Sequence, residues 1–371
     1  MTVGSPPVLW QEGKASFAVG DAFYRPQSAI ARDLAVLAAT VYRQRHGRLR
    51  VLDAMTGCGV RPLRYGLEAG ADWVWANEGN PELAATLAQN LAALPADTCH
   101  ITHQDANQVF FTCYQQRDFY DLVDIDNFGS PAPYISTGLW ATRLEGMLYL
   151  TSTDGRATSG HDPERSVRTY GACARSHPAV HEQGLRLMIG HAAQTAAARG
   201  MGIEPVFSLF TGQVHRVMVR LVSKPTLSDT NYGFLGYCHR CGHFQTVGWR
   251  HLGRVLCPCG TEDTPVVSGP MWLGPLHDGG RLAKMQGLAE RWHWGSQARL
   301  LAIMTQEIDL PPYYFPLGEI GRRGQMDIPN RDRLIAALQA QGYRAAIPSM
   351  DWQGLKTDAA FGDCVAIARS I

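Results

Sequence analysis

Tyr120-Asp121-Leu122-Val123-Asp124-Ile125-Asp126-Asn127-Phe128-Gly129-Ser130-Pro131 is an apolar run that stops abruptly at an acid, an amide and an aromatic. The Leu, Val and Ile positions predict a buried strand, and the Gly-Ser-Pro that follows ends it and lets a helix begin. A carboxylate at the carboxyl end of a parallel strand, with a flat ring two residues on, can hold a planar ligand and accept a hydrogen bond from its exocyclic amine. Asp126 and Phe128 are therefore the candidate reactive pair, with Asn127 between them.

Working outward, short Val/Ile/Leu-rich runs alternate with helical patterns from Arg48 to about Ser223, the signature of a mostly parallel sheet covered by helices. Strands are predicted near 49–54, 73–77, 99–103, 121–125 and 146–152. Helices are predicted at Arg61 to Ala69, Pro81 to Ala93, Asn107 to Tyr114 and Pro131 to Arg143, with a longer one from Ala179 to Arg199. Ile203 to Phe210 and Val214 to Val222 read as a closing hairpin around Thr211-Gly212-Gln213. Five parallel strands closed by a hairpin outline an α/β fold of class I methyltransferase type, a Rossmann-like sheet. Lys224 to Asn231 lacks periodicity and reads as a linker. The expected division is a catalytic domain over 1–225 and a C-terminal α+β domain over 226–371 that includes a cysteine module at 237–260. In the latter, Asn330 is placed to cap a helix from Arg331 to Gln341 that Gly342 ends.

Val51-Leu52-Asp53-Ala54-Met55-Thr56-Gly57-Cys58-Gly59-Val60-Arg61 runs from strand through a glycine turn into a helix. Small residues let backbone approach a ligand there, and a helix start offers free amides. Asp53 and Gly57 are assigned to this cofactor loop. Glu78 follows the second strand, at the position where a carboxylate pairs with ribose hydroxyls. Asp105 and Ala106 at the third strand's end would meet an adenine ring, by side chain and by backbone. The loop departs from a full GxGxxG phosphate cradle, which favours S-adenosylmethionine over NAD. Two glycines after a strand also make a plain tight turn, so the loop alone leaves both readings open.

An exocyclic amine on a purine has its lone pair delocalised into the ring. It becomes nucleophilic when hydrogen bonds to its N–H groups localise that pair. Asp126 and the backbone carbonyl of Asn127 supply two acceptors, and Phe128 a stacking face. The plainer reading is that Asp126 only caps the following helix.

With Phe23-Tyr24-Arg25-Pro26-Gln27, Arg32-Asp33-Leu34, the loop from Gly57 to Arg64, the Asp124 to Pro131 segment, Thr151-Ser152-Thr153-Asp154 and Gly269-Pro270-Met271-Trp272-Leu273-Gly274-Pro275-Leu276-His277-Asp278, the chain resembles the tRNA (guanine-26-N2)-dimethyltransferases. The likeness runs from about Phe23 to Lys356-Thr357-Asp358-Ala359. It implies that Arg32, Arg61, Glu78, Asp105 and Ala106 contact S-adenosylmethionine, that Asp126 is the catalytic acceptor, and that Phe23 and Phe128 sandwich the target guanine of tRNA. This chain departs from the family at Asn127, where proline is usual, and at Thr56-Gly57-Cys58-Gly59-Val60-Arg61, where the family has Ser-Gly-Leu-Arg. Asparagine keeps the carbonyl and loses ring rigidity. Rival readings are an N6-adenine amino-methyltransferase, and a zinc-containing RNA-binding protein of impaired activity.

Cys238-x-x-Cys241 and Cys257-x-Cys259 are separated by fifteen residues, a spacing suited to tetrahedral zinc in a structural role. The second pair is one residue shorter than usual, so His239, His243 and His251 stand as substitute ligands, and a redox pair as the alternative. The other five of nine cysteines are scattered singly, which argues for a reducing, cytoplasmic setting. No apolar run approaches membrane-spanning length, and Met1 to Ser5 lacks the features of an export signal, so no membrane partner is expected. Net charge is +1, and bulk electrostatics alone do not point to nucleic acid, DNA included. Arg43-Gln44-Arg45-His46-Gly47-Arg48-Leu49-Arg50 is either a phosphate contact or a solvated helix end. Arg322, Arg323, Arg344 and Lys356 are candidates to grip tRNA away from the reaction, and Arg168, Arg175 and His177 to reach its backbone.

Overall fold

The computed structural model describes residues 8–260 and 264–371, so the reading of Met1 to Ser5 lies outside the described residues. A ribbon of β1 (Leu9–Glu12) and β2 (Ala15–Ala18) precedes helix α1 (Ala29–His46). Strands and helices then alternate: β3 (Arg50–Asp53), α2 (Val60–Leu67), β4 (Trp73–Asn77), α3 (Ala84–Leu91), β5 (Cys99–Thr102), α4 (Ala106–Gln116), β6 (Tyr120–Ile125), α5 (Ala132–Ala141) and β7 (Thr142–Ser152). After a helix at Val180–Ala197, β8 (Gly202–Thr211) and β9 (Val214–Val222) complete a sheet ordered β5-β4-β3-β6-β7-β9-β8.

The first five strands of that order are parallel, and β9 pairs antiparallel with both β7 and β8. This is the predicted Rossmann-like sheet. All six residues of β6 are buried, because helices cover both faces of the sheet. The closing turn places Gly212 at φ 56° and Gln213 at φ 64°, the left-handed pair that a two-residue hairpin requires. Strand order reverses between β3 and β6, and a crevice at the carboxyl ends of such a switch point is where doubly wound sheets bind ligands.

Two boundaries differ from expectation. Strand β7 begins at Thr142 rather than at 146, because α5 stops where the Thr142 hydroxyl donates back to the Gly138 carbonyl at 2.8 Å. The helix expected from Pro81 opens as a 3-10 turn over Pro81–Leu83, with the Asn80 side chain accepting from the Glu82 amide at 3.0 Å.

Beyond the linker, strands Tyr232–Tyr237, Phe244–Val247 and Val266–Trp272 form a separate antiparallel sheet. Helices Gly279–Arg291 and Gly295–Gln306 then return to α1, where Leu282, Met285, Leu301 and Met304 pack in one cluster with Leu34, Leu37 and Met147. Gln297 Nε2 donates to Asp33 Oδ2 at 2.6 Å across that contact. Asn330 caps Arg331–Ala340 by accepting from the Arg333 amide at 3.0 Å, and Gly342 follows at φ 89°. No helix among the described residues is long and apolar enough to cross a membrane.

Lys356, read above as a grip for tRNA, is instead 1% exposed and lies 2.5 Å from Glu182 Oε1. Arg186 bonds the same carboxylate oxygen at 2.7 Å and the carbonyls of Trp272 and Gly274 at 3.1 and 2.8 Å. These buried cations strap the C-terminal chain to the helix that backs the main sheet. His177 is likewise buried, bonded through Nε2 to Gln183 Oε1 at 2.8 Å, and cannot reach a nucleic-acid backbone. Burial pulls its imidazole down to about 4, and the buried His215, with the His181 and Arg216 charges beside it, to about 3. Both rings therefore stay neutral in the native chain while the unfolded chain takes up protons below about pH 6.5. Stability will fall as pH drops from about 6.5 toward 4, by about 3 kcal/mol for His177 alone. Urea midpoints across that window check this, and His177→Gln should flatten the slope.

Candidate active site

The carboxyl ends of β3, β4, β5 and β6 open on one cavity of ≈ 570 Å³, roofed by the segment between the N-terminal ribbon and α1. Of the residues predicted from sequence, Phe23, Arg32, Gly57, Arg61, Glu78, Asp105, Ala106, Asp126, Asn127 and Phe128 all line it. Asp53 does not. It is fully buried beneath the loop, where Oδ1 accepts from the Met55 amide at 3.3 Å. Burial and the adjacent Asp124 charge push its carboxyl well above the usual range.

The loop after β3 turns at Gly57 (φ 57°) and Gly59 (φ 85°). A Cβ on Gly59 would lie 2.7 Å from Leu87 Cδ1, so that glycine also lets α2 pack on α3. Glu78 fixes the loop from the neighbouring strand end, with Oε2 accepting from the Gly57 amide and Oε1 from the Asn80 amide, both at 2.8 Å. Each carboxylate oxygen has a second lone pair, which leaves Glu78 able to accept from a ligand hydroxyl. Asp105 caps α4 through the Asn107 amide at 2.9 Å and sits with Ala106 on the cavity wall.

Arg61 and Arg32 have partners within the protein. Arg61, 4% exposed, donates through Nε and Nη2 to Asp126 Oδ2 at 3.0 and 2.7 Å, and through Nη1 to Asp124 Oδ2 at 3.0 Å. It clamps the end of β6. Both contacts with Asp126 fall on Oδ2, and Oδ1 takes none of the Arg61 hydrogens. Burial pushes the Asp126 carboxyl up, but the Arg61 and Arg216 charges outweigh it and hold the group below the ordinary range, ionised at neutral pH. Arg32 grips Glu12 with Nε at 2.7 Å and Nη2 at 2.5 Å, and Arg64 bonds that carboxylate at 2.8 Å. Through them Glu12 ties the N-terminal ribbon to α1 and α2, and nothing in its local sequence marked it.

Asn127 does more than replace a ring. Its Nδ2 donates to the carbonyls of Phe128 at 2.7 Å and Ser130 at 2.8 Å, cross-bracing the turn that proline would stiffen covalently. Gly129, at φ 78°, joins it to the next strand end by donating to Thr153 Oγ1 at 2.8 Å. Asn127→Ala should lose about 1–2 kcal/mol with those two bonds, read from the denaturation midpoint.

Phe23 and Phe128 are 67% and 74% exposed at the cavity mouth. Their centroids are 5.0 Å apart with planes at 72°, so the rings meet edge to face. A base between parallel rings needs about 7 Å, two van der Waals separations, so the expected sandwich is closed here and has to open by side-chain rotation.

The sequence over residues 8–369 matches the family described as N2,N2-dimethylguanosine tRNA methyltransferase. The chain belongs to that family. Its relatives include the tRNA (guanine(26)-N(2))-dimethyltransferases of Pyrococcus abyssi, 28% identical over 94% of this chain and 93% of that one, and of Pyrobaculum arsenaticum, 29% identical over 98% and 99%. Among solved structures, that of Trm1 from Pyrococcus horikoshii with S-adenosyl-L-methionine superposes with a TM-score of 0.85 at 26% identity, covering 97% of this chain and 99% of that one.

In this family member the sulfurs of Cys238, Cys241, Cys257 and Cys259 lie within 4.8 Å of one another, with Cys241 and Cys257 at 3.3 Å. Four thiolates at about 2.3 Å from a tetrahedral zinc would sit about 3.8 Å apart, so the cluster can hold that ion. His239, His243 and His251 do not join it. Arg323, proposed from sequence to grip tRNA, instead docks this module by donating to the carbonyls of Arg240 at 2.5 Å and His239 at 2.8 Å. Arg322 and Arg344 are surface groups paired with Glu319 and Asp358, Arg168 is exposed beside Glu164, and Arg175 is exposed. Of the Arg43 to Arg50 cluster, Arg43 and Arg50 are taken by Asp72 and Asp118.

Proposed function

We propose that this enzyme transfers one and then a second methyl group from S-adenosylmethionine to N2 of guanine 26 in tRNA. The observation that carries the reading is Asp126, clamped by Arg61 at the end of β6 and facing the cavity that Glu78 and Asp105 also line. In this reading Glu78 accepts from the ribose hydroxyls, Asp105 and Ala106 meet the adenine, and the Gly57 turn lets backbone approach the cofactor. S-adenosylmethionine supplies an electrophilic methyl group on a sulfonium. Asp126 Oδ1 and the Asn127 carbonyl accept from the guanine amine and localise its lone pair. Phe23 and Phe128 part to take the base, replacing the stacking it loses on leaving the RNA. Arg32 and Arg61 act on the site by positioning Glu12 and Asp126.

The four cysteines would hold a zinc ion, which would supply a structural cross-link to the module, and the enzyme works in the reducing cytoplasm. Chelation should release about one zinc per chain and weaken the near-ultraviolet signal of the module, while metal content measured on the untreated protein gives the reference. The function is tested by tritium transfer from the labelled cofactor to tRNA followed by nucleoside analysis. Label is expected in N2-methylguanosine and N2,N2-dimethylguanosine. Label in methyladenosine, or none, would contradict the assignment.

A further inference from the structure

Arg216 lies on β9 and lines the cavity at 3% exposure. Its Nη2 donates to Ser28 Oγ at 2.9 Å, while Nε and Nη1 are buried without a hydrogen-bond partner. It forms no ion pair within 4 Å among the described residues. A buried guanidinium with two bare donors is costly unless a ligand completes it.

Position in the sheet says which ligand. Ile125 pairs with Leu150, and Thr151 pairs with Arg216, so Asp126, Thr151 and Arg216 follow one row across β6, β7 and β9. The cofactor candidates Gly57, Glu78 and Asp105 follow β3, β4 and β5, on the opposite side of Asp126. Arg216 therefore flanks the reacting carboxylate on the side left for the base. A guanine whose N2 amine meets Asp126 carries O6 farther along the same ring edge, with N7 beyond it. Those two acceptors match the fork of an arginine, whereas adenine places an N–H donor where guanine has O6.

We propose that Arg216 donates to O6 and N7 of the target guanine and thereby selects guanine over adenine. The proposal rests on the methyl-transfer reading above and adds the residue that reads the base. Its charge also acts on Asp126, so the test has to separate reading from electrostatic support.

The experiment compares kcat/KM for tRNA carrying guanosine or 2-aminopurine riboside at the target position, which keeps the 2-amine and lacks O6. Wild type should favour guanosine by at least about tenfold. Arg216→Ala should slow transfer to guanosine about tenfold to a hundredfold and slow transfer to 2-aminopurine, which keeps N7, at least about fivefold less, with S-adenosylmethionine binding unchanged by calorimetry. Arg216→Lys, which keeps the charge and loses the fork, should show the same selective loss in smaller degree and serves where the alanine variant fails to fold. Equal rates of wild type on both substrates would overturn the proposal. So would an equal fall on both substrates in the variants, the mark of support for Asp126 alone, or a loss of cofactor binding, the mark of a cofactor contact. Absence of transfer to guanosine by wild type would be a different failure, that of the methyl-transfer reading itself.

Discussion

Asp126→Asn is expected to lower single-turnover methyl transfer by about 10²–10⁴-fold while S-adenosylmethionine still binds. The amide keeps the shape of the side chain and removes the charge that two arginines hold in place. Arg61 retains Asp124 as a partner at 3.0 Å, so the strand end should keep its form. Cofactor affinity should change little, because the proposed role of Asp126 is on the guanine amine, whereas Glu78 and Asp105 line the cavity from other strand ends. Quenched-flow transfer with labelled cofactor, beside calorimetry of cofactor binding, separates the two effects. A variant that binds cofactor and turns over at the wild-type rate would remove Asp126 from the chemistry.

Lys356→Met is expected to cost about 3–5 kcal/mol of stability. The ammonium group is 1% exposed, 2.5 Å from Glu182 and 3.8 Å from Glu307, whose other oxygen takes His277 Nε2 at 3.1 Å. Removing the cation leaves two buried carboxylates with less compensation, which is far worse than losing an exposed pair such as Arg344 with Asp358. The urea midpoint should shift strongly for Lys356→Met and little for Arg344→Ala. Similar small shifts for both would contradict a strap between the two parts of the chain.

The sheet was legible because its strands are buried on both faces and read as apolar runs, and because the glycine turn, the acid after β4 and the polar stop after β6 punctuate them. The same punctuation marked Glu78, Asp105, Asp126 and Phe128, which lie within three residues of strand ends. Phe23 and Arg32 precede the sheet, and only the family likeness pointed to them. Asp53 was misplaced because adjacency to a loop does not tell whether a strand side chain faces the ligand or the floor. Glu12 escaped notice since its partners Arg32 and Arg64 are 20 and 52 residues away in the chain. Arg216 shares its strand with His215 and Arg220, so nothing local singles it out, and its meaning depends on β9 lying beside β7. Lys356 and His177 look like any surface polar residues until the two parts of the chain pack against each other.

The switch-point cavity is expected to bring a methyl donor and a flipped guanine together at Asp126. The most direct test is a crystal structure of the enzyme with S-adenosylhomocysteine and tRNA. Asp126 Oδ1 should lie within hydrogen-bonding distance, about 3 Å, of guanine N2, with Phe23 and Phe128 parted to about 7 Å around the base. A guanine bound outside this cavity, or Asp126 turned from its amine with both rings still closed on each other, would contradict it.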